Sequence, residues 1–296
     1  MSKTLVDLVG NTPLVLLKKY STPQVKIYAK LEGANPGGSV KDRPAYAMIL
    51  DAQKKGILKP DSVIFEATSG NTGIGIAMLA AYFGYKFVAA MPESVSLERR
   101  ALLKLYGAEI MLTDGTKGTD GAIAFGKQFI AEHPGEYVVL NQYENQANID
   151  SHYYGTGAEI IKDMPTITHF VAGMGTGGTL MGVGKRLKEY NETIEVIGIE
   201  PKKGSIIQGL RNMGAYVPPI YQSCMLDDVM LMTEDEPALL YAREIFKREG
   251  LSVGISSGAA LWGALEIQKR IDKGIIVTIF PDRGERYLTT KLVAKE

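Results

Sequence analysis

The chain has 296 residues, enough for a sizeable core and two domains, and its 45% hydrophobic and 22% charged content is that of a globular protein. Its 33 basic and 33 acidic residues cancel, so it carries no electrostatic footprint for nucleic acid or an acidic membrane. One cysteine, Cys224, excludes an internal disulfide. Met1 to Leu14 has no apolar run after a basic start, which predicts no signal peptide; with the lone thiol, a reducing cytoplasm is expected.

In chain order, Val25 to Leu31 reads as a strand, and a helix follows the turn at Lys41 to about Lys55. Strands are expected over Ser62–Glu66, Lys86–Met91, Ala108–Leu112 and Tyr137–Leu140, alternating with helices over Ile74–Phe83, Ser96–Tyr106 and Asp120–Glu132. The pattern restarts with a helix over Tyr154–Lys162, a strand over His169–Gly173, a glycine-rich loop and a helix to Tyr190. Ile194–Glu200 reads as a strand, Lys203–Pro219 as irregular, and Asp228–Met232 as a strand. Thr233 and Glu236 have capping-box spacing ahead of a helix to Arg248. Ser252–Ile255 reads as a strand, Ser256-Ser257-Gly258 as a turn, Ala259–Arg270 as a helix and Ile275–Phe280 as a last strand. Strand alternating with helix predicts α/β units built on parallel sheets, two of them, joined near residue 145.

Ligands in such sheets bind beyond the carboxyl ends of the strands. The loops there are rich in small polar residues: Ala67–Gly73, Asn141-Gln142, Gly173–Thr179 and Ser256–Gly258. Gly175-Thr176-Gly177-Gly178-Thr179 suits a phosphate, because glycines let backbone N–H groups approach and threonines add hydroxyls. Thr68-Ser69-Gly70-Asn71-Thr72 suits a carboxylate. Lys41, in Pro36-Gly37-Gly38-Ser39-Val40-Lys41-Asp42-Arg43-Pro44, falls at a helix start, where Ser39 and Asp42 have capping-box spacing. A cation against the positive end of the helix dipole is disfavoured, and a lysine so depressed becomes a nucleophile toward carbonyl compounds. Gly173-x-Gly175-x-x-Gly178 with Glu200 about 20 residues on also fits a dinucleotide fingerprint, so an NAD-dependent oxidoreductase is a competing reading. His133, His152 and His169 show no ligand spacing, and no metal is expected.

These stretches, together with Gly10-Asn11-Thr12-Pro13-Leu14, Gly254-Ile255-Ser256-Ser257-Gly258 and Arg283-Gly284-Glu285-Arg286-Tyr287, resemble the cysteine synthase (O-acetylserine sulfhydrylase) family of fold-type II pyridoxal-phosphate enzymes over nearly the whole chain. The resemblance implies a two-domain, tryptophan-synthase-β-like α/β fold, with parallel sheets flanked by helices. Residues 39–145 would form a smaller mobile domain carrying the substrate loop, and 1–38 plus 146–296 a larger, phosphate-holding one. It implies that Lys41 holds pyridoxal 5'-phosphate as a Schiff base and then takes the substrate α-proton. Gly175, Thr176, Gly177, Gly178 and Thr179 would hold the phosphate, Asn71 the ring's 3-hydroxyl, and Ser256 would face the ring nitrogen. Thr68, Ser69, Thr72 and Gln142 would grip the substrate carboxylate. A serine at the nitrogen makes the ring a weaker electron sink than a carboxylate would, which favours β-elimination over transamination. The reaction implied is L-cysteine synthesis from O-acetyl-L-serine and sulfide through an aminoacrylate. A homodimer is implied, and serine acetyltransferase is a candidate partner.

Met91-Pro92-Glu93, Glu98-Arg99-Arg100 and Asp282-Arg283-Gly284 resemble the B-type branch of that family, with departures. Pro281 stands where that branch has cysteine, and Asn212-Met213 follow Arg211, which is left as a candidate contact for an anionic co-substrate. Leu231 replaces a glycine or aspartate. An alternative is therefore β-replacement on L-cysteine, releasing hydrogen sulfide and forming lanthionine or cystathionine. The C-terminal signature ends near Glu296, which predicts no appended regulatory domain.

Overall fold

The computed structural model describes residues 2–68 and 70–293. Its elements run β1 (Leu14–Leu16), β2 (Val25–Leu31), α1 (Asp42–Lys54), β3 (Val63–Ala67), α2 (Asn71–Phe83), β4 (Lys86–Pro92), α3 (Leu97–Leu105), β5 (Glu109–Thr113), α4 (Gly118–Glu132) and β6 (Tyr137–Val139). There follow α5 (Gln146–Ser151), a π-helical turn (His152–Gly157), α6 (Ala158–Asp163), β7 (His169–Gly173), α7 (Gly178–Tyr190), β8 (Glu195–Pro201), β9 (Asp228–Met232), α8 (Glu236–Glu249), α9 (Ile255–Gln268) and β10 (Gly274–Phe280). The architecture is α/β, as the alternation predicts.

Two sheets organise these elements. One has four parallel strands in the order β5-β4-β3-β6; the other has six in the order β1-β2-β10-β7-β8-β9, parallel except where β1 runs against β2. Parallel strands need crossover helices, which cover both faces, so their strands read as near-continuous apolar runs. Gly274–Phe280 is such a run, with six of its seven residues buried. The α2 helix is apolar on every side and lies inside the four-stranded unit, where Ile74, Ile76 and Leu79 meet Ile64, Phe87 and Met91. Val171, Ile197, Ile199 and Leu261 centre the six-stranded unit. No helix among the described residues is long and apolar enough to cross a membrane.

Four local readings are corrected. Ser252–Ile255 is not a strand: Gly254 hydrogen-bonds the Asp282 carbonyl at 3.1 Å, and α9 begins at Ile255. Ser256, Ser257 and Gly258 are accordingly buried in its first turn rather than in a free turn. The Thr233–Glu236 capping box does not form. Asp235 is the N-cap of α8, and its carboxylate accepts from Ser205 Oγ at 2.5 Å and Ile206 N at 3.1 Å instead. The helix expected from Tyr154 opens at Gln146, where Asn145 Oδ1 caps Ala147 N at 3.0 Å. β1, three residues long, carries too short a pattern to read.

Candidate active site

The carboxyl ends of β3, β6, β7 and β10 bring the polar loops to one cleft. Val40, Lys41, Asn71, Gly175, Thr176 and Ser256 are among its lining residues, with Gly177, Thr179 and the chain at Gln208–Leu210 completing the wall. The cleft opens to solvent, and its lining mixes backbone of the glycine loop with the Lys41, Asn71, Thr176, Thr179 and Ser256 side chains.

Lys41 is the N-cap of α1. Its turn is pinned by Val40 N donating to the Pro281 carbonyl at 2.7 Å. The expected capping box is replaced by a different pairing: Ser39 Oγ accepts from Lys41 N at 3.2 Å, and the Asp42 carboxylate turns back to Gly37 N at 2.6 Å. Burial pushes the Lys41 amine down to about 8, because a charged ammonium is poorly solvated there.

The phosphate loop leaves β7 and enters α7. Gly177 takes φ +90°, a left-handed conformation open to glycine. Gly178 packs so tightly on Asn148 that a Cβ would lie 2.1 Å from its Oδ1. Thr179 Oγ1 lies 3.3 Å from His152 Nε2, and His152 Nδ1 lies 2.9 Å from Thr156 Oγ1. Burial first, then the charges of Arg43 and Lys41, hold His152 well below the usual histidine range, so it is neutral.

Thr68, Thr72 and Gln142 are all buried. Thr72 Oγ1 donates to Gln142 Oε1 at 2.7 Å. Asn148 links Gln142 to the phosphate loop by donating to the Gln142 carbonyl at 2.8 Å and to Thr176 Oγ1 at 3.1 Å. Glu66, at the end of β3, accepts from Asn141 N at 3.2 Å and Gln142 N at 3.4 Å. It holds Asn141 at φ +53°, and burial raises the Glu66 carboxyl to about 7.

Ser69 lies outside the described residues. Arg211 is not among the cleft-lining residues. Its guanidinium stacks on Tyr143 and Tyr216, with ring centroids at 5.1 and 5.3 Å, and reaches Asp120 at 3.5 Å. Glu200, the acidic residue of the dinucleotide reading, accepts from Met213 N at 2.7 Å. Asn148 and His152 are polar, buried parts of the site that the motifs did not single out. Asn148 had the clearest signal, as an Asx residue just after the cap at Asn145.

A lysine amine desolvated by burial and a glycine–threonine cradle at the start of a thirteen-residue helix, lining one cleft, form a donor set that fits a phosphate-bearing carbonyl cofactor. This defines an α/β enzyme of the pyridoxal-phosphate class. The comparisons agree: residues 5–282 match the model for pyridoxal-phosphate dependent enzymes, and the chain belongs to that family. It is 50% identical to a cysteine synthase of Aquifex aeolicus, across 98% of this chain and 92% of the relative. The solved cysteine synthase of Entamoeba histolytica is similar at a TM-score of 0.94 and 36% identity, covering 100% of this chain and 92% of that one. A hydrogen sulfide-producing enzyme of Fusobacterium nucleatum is similar at a TM-score of 0.90 and 40% identity, covering 97% and 100%. Pyridoxal 5'-phosphate is thus the cofactor, which displaces the dinucleotide reading of the Gly173 loop.

Proposed function

We propose that this protein is a cytoplasmic β-replacement enzyme that makes L-cysteine from O-acetyl-L-serine and sulfide. One observation carries the reading: a desolvated lysine amine, a glycine–threonine anion cradle and a serine at the start of α9 line the same cleft. Pyridoxal phosphate supplies the electron sink for breaking bonds at the substrate α-carbon. The chain's own groups do the rest. Backbone N–H groups and hydroxyls of Gly175–Thr179 hold the phosphate. Lys41 Nζ would anchor the cofactor and, as a free amine, would take the substrate α-proton; its lowered pKa leaves part of it unprotonated near neutral pH. Thr68, Ser69, Thr72 and Gln142 hold the substrate carboxylate, and the Thr72–Gln142 bond orients the pair for it. Asn71, which lines the cleft, would donate to the ring's oxygen substituent. Ser256, on the cleft wall, would offer the ring nitrogen a hydroxyl rather than a carboxylate, which favours loss of the β-substituent over transamination.

Residues 39–145 act as the moving unit, closing on 1–38 plus 146–296 when the carboxylate is bound and excluding water. The working form is a homodimer, and serine acetyltransferase is its candidate partner. Cysteine formation from O-acetylserine and sulfide tests the reading. Lys41→Ala is expected to abolish it, and turnover at the unsubstituted rate contradicts the assignment.

A second reading is favoured by the likeness to the hydrogen sulfide-producing enzyme and by Leu231, 53% exposed on β9 and bringing no carboxylate. Cysteine is then the β-donor, with a second cysteine or homocysteine as acceptor. Rates with cysteine alone that exceed those with O-acetylserine plus sulfide select this reading; the reverse order rejects it.

A further inference from the structure

Asn71 opens α2, which packs in the four-stranded unit, yet its side-chain amide is held by the segment after β10. Its Nδ2 donates to Asp282 Oδ2 at 2.6 Å, and its Oδ1 accepts from Arg286. Arg286 also donates to the Gly37 carbonyl, in the turn that precedes Lys41. Asp282 Oδ2 accepts a second bond, from Tyr287 OH at 2.6 Å, while Asp282 Oδ1 is buried without a partner. Asp282 is 2% exposed, and the Arg99 guanidinium lies 5.6 Å from the centroid of the Tyr287 ring.

A primary amide has two ends of nearly equal shape, and only its partners decide which faces where. Here the decision is unambiguous. Arg286 can only donate, and Asp282 Oδ2, already receiving the tyrosine hydroxyl, can only accept. Asn71 lines the cleft with one Nδ2 hydrogen still uncommitted, so it meets the cofactor as a donor and not as an acceptor. We propose that Asp282 and Arg286 are positioning residues that fix the Asn71 amide in its donor orientation toward the cofactor ring. The inference rests on the reading of Asn71 as a ring contact. It also ties Asn71 to the Lys41 turn, because one arginine holds both.

The test is a double-mutant cycle on the purified full-length protein. Its readouts are cofactor Kd, from equilibrium titration of apoprotein with pyridoxal phosphate, and the position of the bound cofactor's visible band. Asp282→Asn keeps the shape but lets the amide turn over. It is expected to weaken cofactor binding roughly tenfold or more and to shift the band, the loss associated with one charge-assisted hydrogen bond. In the Asn71→Ala background the same change is expected to do nothing further, because Asp282 acts through Asn71. Half-buried Arg286 gives a second pair should Asp282→Asn fold poorly: Arg286→Met, which cannot donate, is expected to reproduce the shift, and Arg286→Lys to restore it. Additive losses in the cycle, or Arg286→Met and Asp282→Asn proteins with the unsubstituted Kd and band while Asn71→Ala alters both, overturn the proposal and leave Asn71 a cofactor contact. An Asn71→Ala protein with the unsubstituted Kd and band overturns the Asn71 assignment itself.

Discussion

Lys41 is charged in the unfolded chain near neutral pH, and burial in the folded cleft shifts the balance toward the neutral amine. With its amine down at about 8, about one molecule in ten carries it neutral at pH 7. Cofactor uptake by apoprotein is expected to accelerate with pH and level off with a midpoint near 8, whereas a surface lysine gives a midpoint near 10.5; stopped-flow absorbance measures it. The linked stability has a definite sign. The unfolded chain binds this proton more readily, so the apoprotein gains stability as pH rises from about 8 toward 10.5. Glu66 behaves in the opposite way. Its folded carboxyl, near 7, lies above the ordinary 4.5, so the folded form binds the extra proton and stability falls as pH rises between those values. Glu66→Gln is expected to flatten that slope in denaturant titrations; an unchanged slope contradicts the assignment.

The α7 helix shows how an element delivers chemistry to the site. Its start is positioned by α5, since Gly178 lies directly on Asn148, which in turn holds the Gln142 carbonyl and Thr176. Gly178→Ala adds one methyl where a Cβ would sit 2.1 Å from Asn148 Oδ1, so Asn148 has to move and both of its bonds are expected to break. The expected outcome is loss of retained cofactor on gel filtration together with a raised substrate KM; retention of both at unsubstituted values contradicts the coupling. The elements show why some of this was legible in the sequence. Val25–Leu31, His169–Gly173 and Asp228–Met232 are strands with the bounds that their apolar runs predict. The Lys41 turn and the glycine loop carry their signals within ten residues. Asn71 and Asp282 stand 211 residues apart and follow strands of different sheets, β3 and β10, so no local pattern announces the pair. Ser252–Ile255 misleads for a related reason: its short β-prone run is overridden by contacts with the Asp282 backbone and by the helix that follows.

At the scale of the molecule, a buried ion network joins the two halves. Arg43, on α1, pairs with Glu32 at 2.7 Å and Glu159 at 2.7 Å, and Lys30, wholly buried on β2, meets Glu159 at 2.8 Å. Burial raises the Glu159 carboxyl, but Arg43 and Lys30 together hold it down to about 2. Its contribution is therefore present above 4.5 and lost as pH falls toward 2. Arg43→Ala leaves buried Glu32 without its cationic partner and is expected to cost roughly 3–5 kcal/mol, read from the denaturant midpoint; a loss under about 1 kcal/mol, the level of an exposed pair, contradicts the account. The cleft lies where the carboxyl ends of both sheets face, and closure of residues 39–145 over it is expected to lower the radius of gyration in X-ray scattering when O-acetylserine is added. An unchanged radius contradicts the moving-unit proposal.

The central claim, a pyridoxal-phosphate β-replacement site built on Lys41, is tested most directly by the visible absorption of the purified protein before and after O-acetylserine. The account predicts a coloured protein whose band changes on addition of O-acetylserine and returns when sulfide follows, with Lys41→Ala losing the starting band. A protein that stays colourless with added pyridoxal phosphate, or a band indifferent to O-acetylserine and to cysteine alike, contradicts it.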